Sequence, residues 1–271
     1  MKRSFLYIII ITVLGVTSCS KFGRLLKSSD YPLKYSKAFE YYNKADYARS
    51  AQLFDDIYNA YRGTNKADTL AYYRAMSYFK QKDYLNASYY FSSIYKNDRQ
   101  SPFAEESEYL AGYCFYKQSP RPELDQENTF AAIETFQIFL VRHPGSKWED
   151  ESKKYLAEMQ DKLVDKSYIS AKLYYNLSQY KASIVALNNS LNDYPDTKYR
   201  EELMFLLLRS SYLLAENSVP DKKKERYQSA LDEYYSFIGE FPESAYAKEA
   251  KQIYEKTDLF VKTRGGFEEE E

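Results

Sequence analysis

The 271-residue sequence predicts an all-α protein, a solenoid of about five helix pairs with a C-terminal capping helix. After residue 36 the apolar residues recur at helical spacing nearly throughout, and no clear alternating strand pattern is present. Glycine and proline number 8 each, about half of their usual combined share, which argues against turn-rich sandwiches and barrels. In addition, a short motif of small, aromatic and apolar residues recurs five times.

This motif has a small residue, a large apolar residue four positions later, and a third residue, mostly apolar, three positions after that. The copies are Ser50/Phe54/Ile57, Ala87/Phe91/Ile94, Ala132/Phe136/Phe139, Ser183/Leu187/Ser190 and Ala230/Tyr234/Phe237. Proline follows the last three copies at Pro144, Pro195 and Pro242. A small side chain lets two helix backbones approach, the ring covers the seam, and proline ends the second helix.

The motif resembles the tetratricopeptide repeat, and this resemblance implies a right-handed α-solenoid. Upstream of the first three copies stand Ala38, Ala75 and Gly112, where a first helix would need close approach. A final helix from about residue 245 to 262 would cap the stack.

The first nineteen residues carry signals for export and lipidation. Lys2 and Arg3 precede an apolar run, residues 5–16, which is too short to span a bilayer as a helix. The sequence Val-Thr-Ser-Cys at 16–19 resembles the bacterial lipobox, and the resemblance implies cleavage before Cys19 and acylation of its thiol. The alternative is an ordinary secretory signal followed by a chance cysteine.

We expect five segments along the chain. They are a signal peptide (1–18), a lipidated linker (19–32), an N-terminal half with repeats one to three (33–145), a C-terminal half with repeats four, five and the cap (146–262), and an acidic disordered tail (263–271). Lys21, Arg24 and Lys27 follow Cys19 and would favour anionic lipids. Because no acidic export run follows the cysteine, we expect the protein to face the periplasm.

The composition argues against nucleic-acid binding and catalysis. The net charge is −1, whereas nucleic-acid-binding chains are basic. The only histidine, His143, lies in an inter-repeat turn, where we expect a solvated surface residue. Neither a glycine-rich phosphate loop nor a His/Cys cluster is present, so we expect no metal and no cofactor beyond the lipid at Cys19. Cys114, left without a partner, is expected to be a small core residue.

Repeat arrays of this kind offer a concave surface, lined by the first helix of each pair, that binds peptides. Counting along these helices places there Tyr35, Phe39, Tyr42, Tyr72, Tyr73, Met76, Phe79 and Lys80, and in the third repeat Tyr109, Tyr113 and Tyr116. The alternative for any one ring is packing of helix against helix. As a set, the rings and the cation suit a peptide with aromatic residues and a terminal carboxylate.

A lipobox followed by five such repeats is the layout of the BamD family of lipoproteins, which the chain resembles nearly end to end after Cys19. The motifs that support this lie at 124–126, 132–139, 144–146 and 191–197. The resemblance implies a lipid-anchored protein on the periplasmic face of the outer membrane, within the machinery that inserts β-barrel proteins.

The same resemblance implies that the two halves of the chain bind different partners. The N-terminal repeats, from Tyr35 to Lys80, would bind C-terminal segments of unfolded outer-membrane proteins, and the C-terminal repeats would dock on the periplasmic domain of the BamA-type barrel subunit. Arg209 is the predicted docking residue. The alternatives are a periplasmic scaffold for envelope or cell-wall proteins and a glycan-capturing lipoprotein, because the fold alone does not determine function.

Overall fold

The computed structural model describes residues 21–264, and every regular element in that range is a helix. Residues 21–27 form a short helix, and a 3-10 helix follows α2 at Tyr58–Tyr61. The α-helices are α1 Tyr31–Asn43, α2 Tyr47–Ile57, α3 Ala67–Lys80, α4 Tyr84–Asn97, α5 Ala104–Gln118, α6 Glu127–Arg142, α7 Glu149–Asn176, α8 Tyr180–Asp193, α9 Arg200–Glu216, α10 Pro220–Glu240 and α11 Ala247–Arg264. The predicted signal peptide, Cys19 and the run Glu268–Glu271 lie outside the described residues.

The ten helices α1 to α10 form five consecutive pairs, and α11 follows the last pair, as the sequence predicts. Contacts divide the described chain into a first unit, residues 21–120 and 126–159, and a second unit, residues 121–125 and 160–264. In the first unit each helix from α1 to α6 packs on the next one, and in the second unit α8 to α11 do the same. The chain is therefore an all-α protein of tetratricopeptide-like helix pairs.

In each of the first two pairs, the turn between the helices contains a residue with left-handed backbone conformation followed by an aspartate. Asp46 and Asp83 each accept a hydrogen bond from the backbone N–H three residues later, which caps α2 and α4. Ala45 and Lys82, directly before them, have φ of 59° and 61°. This geometry explains why Ala-Asp-Tyr and Lys-Asp-Tyr recur at the same place in the repeat.

The small residues upstream of the first three motif copies lie where two helix backbones approach. Ala38 and Ala75 have no exposed surface, and Gly112 is buried. The Oγ of Ser50 donates to the backbone carbonyl of Ala38 at 3.0 Å and lies 3.1 Å from the Oγ of Ser77. The close approach that the sequence predicts is therefore confirmed, and the Ser50 hydroxyl bridges α1 and α2 and also contacts Ser77 on α3.

Replacing Gly112 by alanine is expected to destabilise the protein by about 1 kcal/mol. A Cβ at this position would lie 2.9 Å from the ring of Phe136, which is fully buried. Overpacking of this kind costs about 1–3 kcal/mol, and the higher helix propensity of alanine offsets about 1 kcal/mol of it. Urea unfolding measures the difference.

Gly239 in α10 is the matched control, because a Cβ there would meet nothing within 4 Å. Gly239→Ala is expected to stabilise the protein by about 0.5–1 kcal/mol through helix propensity alone. If the two substitutions had equal effects, the close approach at Gly112 would be wrong.

The largest core of the first unit lies between α3 and α6. Phe91, Phe136 and Phe139 are fully buried there, and the start of α7 adds Met159. Cys114 is part of this core, as the sequence predicts, and burial raises the pKa of its thiol to about 12. The thiol therefore stays protonated and unreactive at neutral pH.

The expectation of a solvated His143 is wrong. Its Nε2 lies 2.9 Å from Oε2 of Glu108, and Nη1 of Arg142 lies 2.5 Å from Oε1 of the same carboxylate. Glu108 is only 2% exposed. A buried carboxylate needs hydrogen-bond and cationic partners, and the end of α6 with the turn after it supplies both.

Candidate functional site

The eight residues that the sequence assigns to peptide binding lie on α1 and α3 of the first unit; we call them the aromatic surface (Tyr35, Phe39, Tyr42, Tyr72, Tyr73, Met76, Phe79 and Lys80). Six of them are partly buried, Lys80 is exposed, and Tyr72 is buried with 8% exposure. Most of these side chains therefore both support the core and present part of their surface to solvent.

Ring contacts join the two helices of the aromatic surface. The ring of Tyr73 on α3 lies 4.9 Å from that of Phe39 and 5.0 Å from that of Tyr42, both on α1. Tyr35 continues the row, 5.0 Å from Phe39. The predicted rings of α1 and α3 thus form one continuous cluster, with edge-to-face and tilted geometries that favour aromatic pairs.

The row continues from α3 onto α5 and the first part of α7. Phe79 lies 5.9 Å from Tyr113, and Tyr155 contacts both Tyr113 and Tyr116, at 5.5 and 4.4 Å. Tyr113 and Tyr116 are the residues that the sequence places in the third repeat. Tyr155 was not predicted from the sequence. This residue lies on the first helix of the fourth pair, and the motif copy of that pair, Ser183/Leu187/Ser190, contains no aromatic residue.

Tyr72 has a different role from the other rings. Its ring stacks on Phe103 at 4.4 Å inside the core. Burial, followed by the charge and hydrogen bond of Glu106, raises the pKa of its hydroxyl. Tyr72 therefore supports the fold and contributes little surface. Tyr42 is less enclosed, and burial, with smaller effects of Tyr47, Tyr73 and Glu106, raises its pKa to about 12.

Two carboxylates on α7 accept hydrogen bonds from tyrosines of α5. The Tyr109 hydroxyl donates to Glu151 at 2.6 Å, and the Tyr116 hydroxyl donates to Glu158 at 2.7 Å. Burial and then Glu151 raise the pKa of Tyr109, and chiefly the hydrogen bond to Glu158 raises that of Tyr116 to about 12. Nothing in the sequence motif indicated these carboxylates, because acidic residues are frequent on every exposed helix face.

Lysines flank the rings. Lys66 lies before α3 with its Nζ 4.8 Å from the centre of the Tyr35 ring, and Lys117 at the end of α5 lies 5.1 Å from Tyr113 and 5.3 Å from Tyr116. Lys80 ends α3 and forms no ion pair with any described residue. Aromatic faces stabilise the ammonium groups of Lys66 and Lys117, which remain available to an anionic group.

Arg209 lies in the second unit, on α9. Its Nε is 3.3 Å from Glu249 of α11, and its guanidinium lies 5.6 Å from the centre of the Tyr175 ring. The side chain is 41% exposed. Arg209 is thus partly engaged within its own unit and can still be reached by a partner.

The described residues contain no group of three or more His, Cys, Asp or Glu side chains placed to hold a metal ion. Within residues 21–264, no helix combines the length and the apolar character needed to cross a membrane.

The helix pairs and this surface define the class: a helical-repeat protein of the tetratricopeptide type, an architecture used for contact with other polypeptides. A family model described as "YfiO: Outer membrane lipoprotein" matches residues 30–227. The chain belongs to this family, the BamD family that the sequence motifs indicated, and it is an outer-membrane lipoprotein.

Two solved structures are similar to the chain at low sequence identity. A TPR repeats protein from Bacteroides fragilis is 12% identical, with 86% of this chain and 100% of that chain covered and a TM-score of 0.38. The TPR2AB domain of yeast Sti1, in complex with pHSP90, is 13% identical, with 85% and 99% covered and a TM-score of 0.37. No curated protein matches the sequence significantly. The assignment therefore rests on the family match and on the helices themselves.

Proposed function

We propose that this lipoprotein is a non-catalytic subunit of the machinery that assembles β-barrel proteins in the outer membrane, anchored on the periplasmic face through an acylated Cys19. Its first unit binds C-terminal segments of unfolded outer-membrane proteins, and its second unit binds the BamA-type barrel subunit. The observation that supports this most is the row of partly buried rings across α1, α3, α5 and α7, with lysines beside it.

The chemistry of this row matches the proposed ligand. Tyrosine and phenylalanine offer apolar faces to aromatic side chains of a peptide, and tyrosine hydroxyls offer hydrogen bonds to its backbone. Lys80 and Lys117 lie in the last turns of α3 and α5, the first helices of consecutive pairs, so both cations lie on the same side of the row. They are positioned to bind the terminal carboxylate of the peptide, and Glu151 and Glu158 orient the tyrosines without neutralising these lysines.

A peptide that ends in an aromatic residue and a free carboxylate is expected to bind about five- to tenfold more tightly than its C-terminal amide, because the lysines recognise the charge. Lys80→Gln with Lys117→Gln should remove this preference. Tyr42→Ala should weaken both peptides equally, since it removes ring contact and no charge. Isothermal titration calorimetry of both peptides with the parent and the two variants measures these affinities.

Lys82→Gln, two residues beyond α3, and Tyr235→Ala, a 56% exposed tyrosine of the second unit, are the matched controls and should leave the peptide affinities unchanged. A carboxylate preference that persists in the double lysine variant would exclude the lysines. Unchanged binding in Tyr42→Ala, with the helical circular dichroism intact, would remove this ring from the site. Tyr72 is unsuited to this test because it belongs to the core.

The second unit offers a separate surface for the barrel subunit. An open cleft of about 1100 Å³ lies between α8 and the ends of α7 and α9, and its lining is mainly apolar. Val185 is 57% exposed and Tyr174 is 40% exposed, and both line this cleft. A contiguous exposed apolar patch is typical of a protein interface. With Arg209 on α9, it supports docking of a folded periplasmic domain on this unit.

A further inference from the structure

The helix at residues 21–27 is docked on the first repeat. Phe22, Leu25 and Leu26, spaced three and four residues apart, pack against the core formed by α1 and α2. The Phe22 ring meets that of Tyr41 edge to face at 5.6 Å, and the guanidinium of Arg49 lies 5.5 Å from the centre of the Phe22 ring. The apolar face of the helix is therefore occupied by the protein itself.

A buried lysine forms a hydrogen bond with the C-terminal end of this helix. The Nζ of Lys34 donates to the backbone carbonyl of Leu26 at 2.8 Å and to Oδ2 of Asp56 at 2.5 Å. Lys34 is 3% exposed, so its charge is directed at these two partners. Asp56 lies on α2, and the lysine thus links the short helix to both helices of the first pair.

The opposite face of the helix is basic. Lys21, Arg24 and Lys27 are exposed, at positions three residues apart, and no acidic residue occurs between Ser20 and Ser29. Asp30 comes next, but its carboxylate accepts a hydrogen bond from the backbone N–H of Leu33 at the start of α1. The helix therefore presents three cations on one side and no carboxylate within its own length.

The sequence puts this basic face next to the membrane if Cys19 is acylated. Two residue steps separate Cys19 from Lys21, and they span at most about 7 Å. Since the helix is held on the first repeat, its cations move together with that repeat, so that their binding to head groups would orient the repeat as well. We propose that residues 21–27 are a fixed contact for anionic phospholipid head groups, which orients the first repeat on the membrane surface. This inference rests on the proposed acylation of Cys19.

Head groups fit this face better than acyl chains do. Phe22, Leu25 and Leu26 pack inward and leave no apolar stripe to insert into the hydrocarbon. Each cation near an anionic lipid surface raises the partition coefficient of the protein onto the membrane about fivefold. Three cations therefore raise it about a hundredfold at low salt. The acyl chains would supply retention, and the cations would supply orientation.

The test uses the mature chain from residue 19 with Cys19→Ser, so that only the protein surface binds. Its sedimentation is measured with vesicles of phosphatidylcholine and with a roughly 7:3 mixture of phosphatidylcholine and phosphatidylglycerol. We expect binding to the anionic vesicles alone, weakened by added salt. Replacing Lys21, Arg24 and Lys27 together by glutamine should lower the partition by about a hundredfold.

The matched control replaces Lys222, Lys223 and Lys224 of α10 by glutamine, which removes the same charge from a different basic segment. It should bind like the parent. If this control lost binding and the helix variant kept it, or if the parent bound neutral vesicles equally, the proposal would be overturned. Mass determination of Cys19 in the native protein is separate: an unmodified thiol there refutes the anchor, whatever the vesicle result.

Discussion

Raising the pH from 8 to 11 is expected to lower the free energy of unfolding by about 3 kcal/mol through Tyr72 and Tyr109 alone. Tyr72 is 8% exposed and Tyr109 is 7% exposed, and burial together with Glu106 or Glu151 raises the pKa of each hydroxyl in the folded chain. In the unfolded chain a tyrosine ionises near pH 10. Above that value the unfolded state gives up protons that the folded state keeps.

The sign follows from this difference in bound protons. The stability is fully present below about pH 10 and is lost as the pH rises from there toward the folded pKa, by about 1.4 kcal/mol per tyrosine and pH unit. Urea unfolding at pH 8, 10 and 11, monitored by far-ultraviolet circular dichroism, measures the loss. Replacing Tyr72 and Tyr109 together by phenylalanine should reduce the loss by about 3 kcal/mol, and each single variant by about half.

Because a variant can lose stability at every pH through its missing hydrogen bond, the comparison uses the change between pH 8 and pH 11 within each protein. An equal loss in the parent and in the double variant would show that these two hydroxyls ionise alike in both states. That result would contradict their burial against carboxylates.

Asp56→Ala is expected to destabilise the protein by about 3 kcal/mol. This substitution leaves the charge of Lys34 buried, with the carbonyl of Leu26 as its remaining partner. Removing one member of a buried ion pair costs about 3–5 kcal/mol, and the lower value applies because Asp56 is 36% exposed. Urea unfolding at pH 7 measures the change.

Lys34→Met supplies the matched control, since it removes the charge and keeps most of the volume. We expect it to cost about 1 kcal/mol, and the double variant Lys34→Met with Asp56→Ala to cost no more than that. Additive effects would show that the two charges do not interact. Lys34→Met should also speed hydrogen exchange of the amides at residues 22–27, because the helix loses the hydrogen bond from Lys34 to the carbonyl of Leu26.

The sequence predicts the repeat architecture well because the physical demands of helix packing recur at fixed spacing. Ala38, Ala75 and Gly112 had to be small for two backbones to approach, and all three are buried. The weakest copy of the motif still forms a regular pair, α7 and α8, since Ser183 and Leu187 meet the same packing requirement with smaller side chains.

The buried polar contacts could not be predicted from the sequence. Glu108, Lys34 and Asp56 carry no motif, and their pairing depends on residues 22 to 35 positions away in the chain. Tyr72 and Tyr73 show the same limit for the candidate site. They are adjacent in sequence, yet one stacks inside the core and the other joins the rings of α1. Which ring faces solvent depends on the rotation of α3 against its neighbours, and hydrophobic spacing fixes that only within about a third of a turn.

The central claim is that this lipoprotein works inside the β-barrel assembly machinery. Its most direct test is purification of the native, acylated protein from outer membranes in mild detergent, followed by mass spectrometry of its partners. We predict that a BamA-type barrel subunit co-purifies, and that its amount falls when Val185→Asp and Arg209→Glu are introduced together. Recovery with cell-wall proteins and without a barrel subunit would contradict the account.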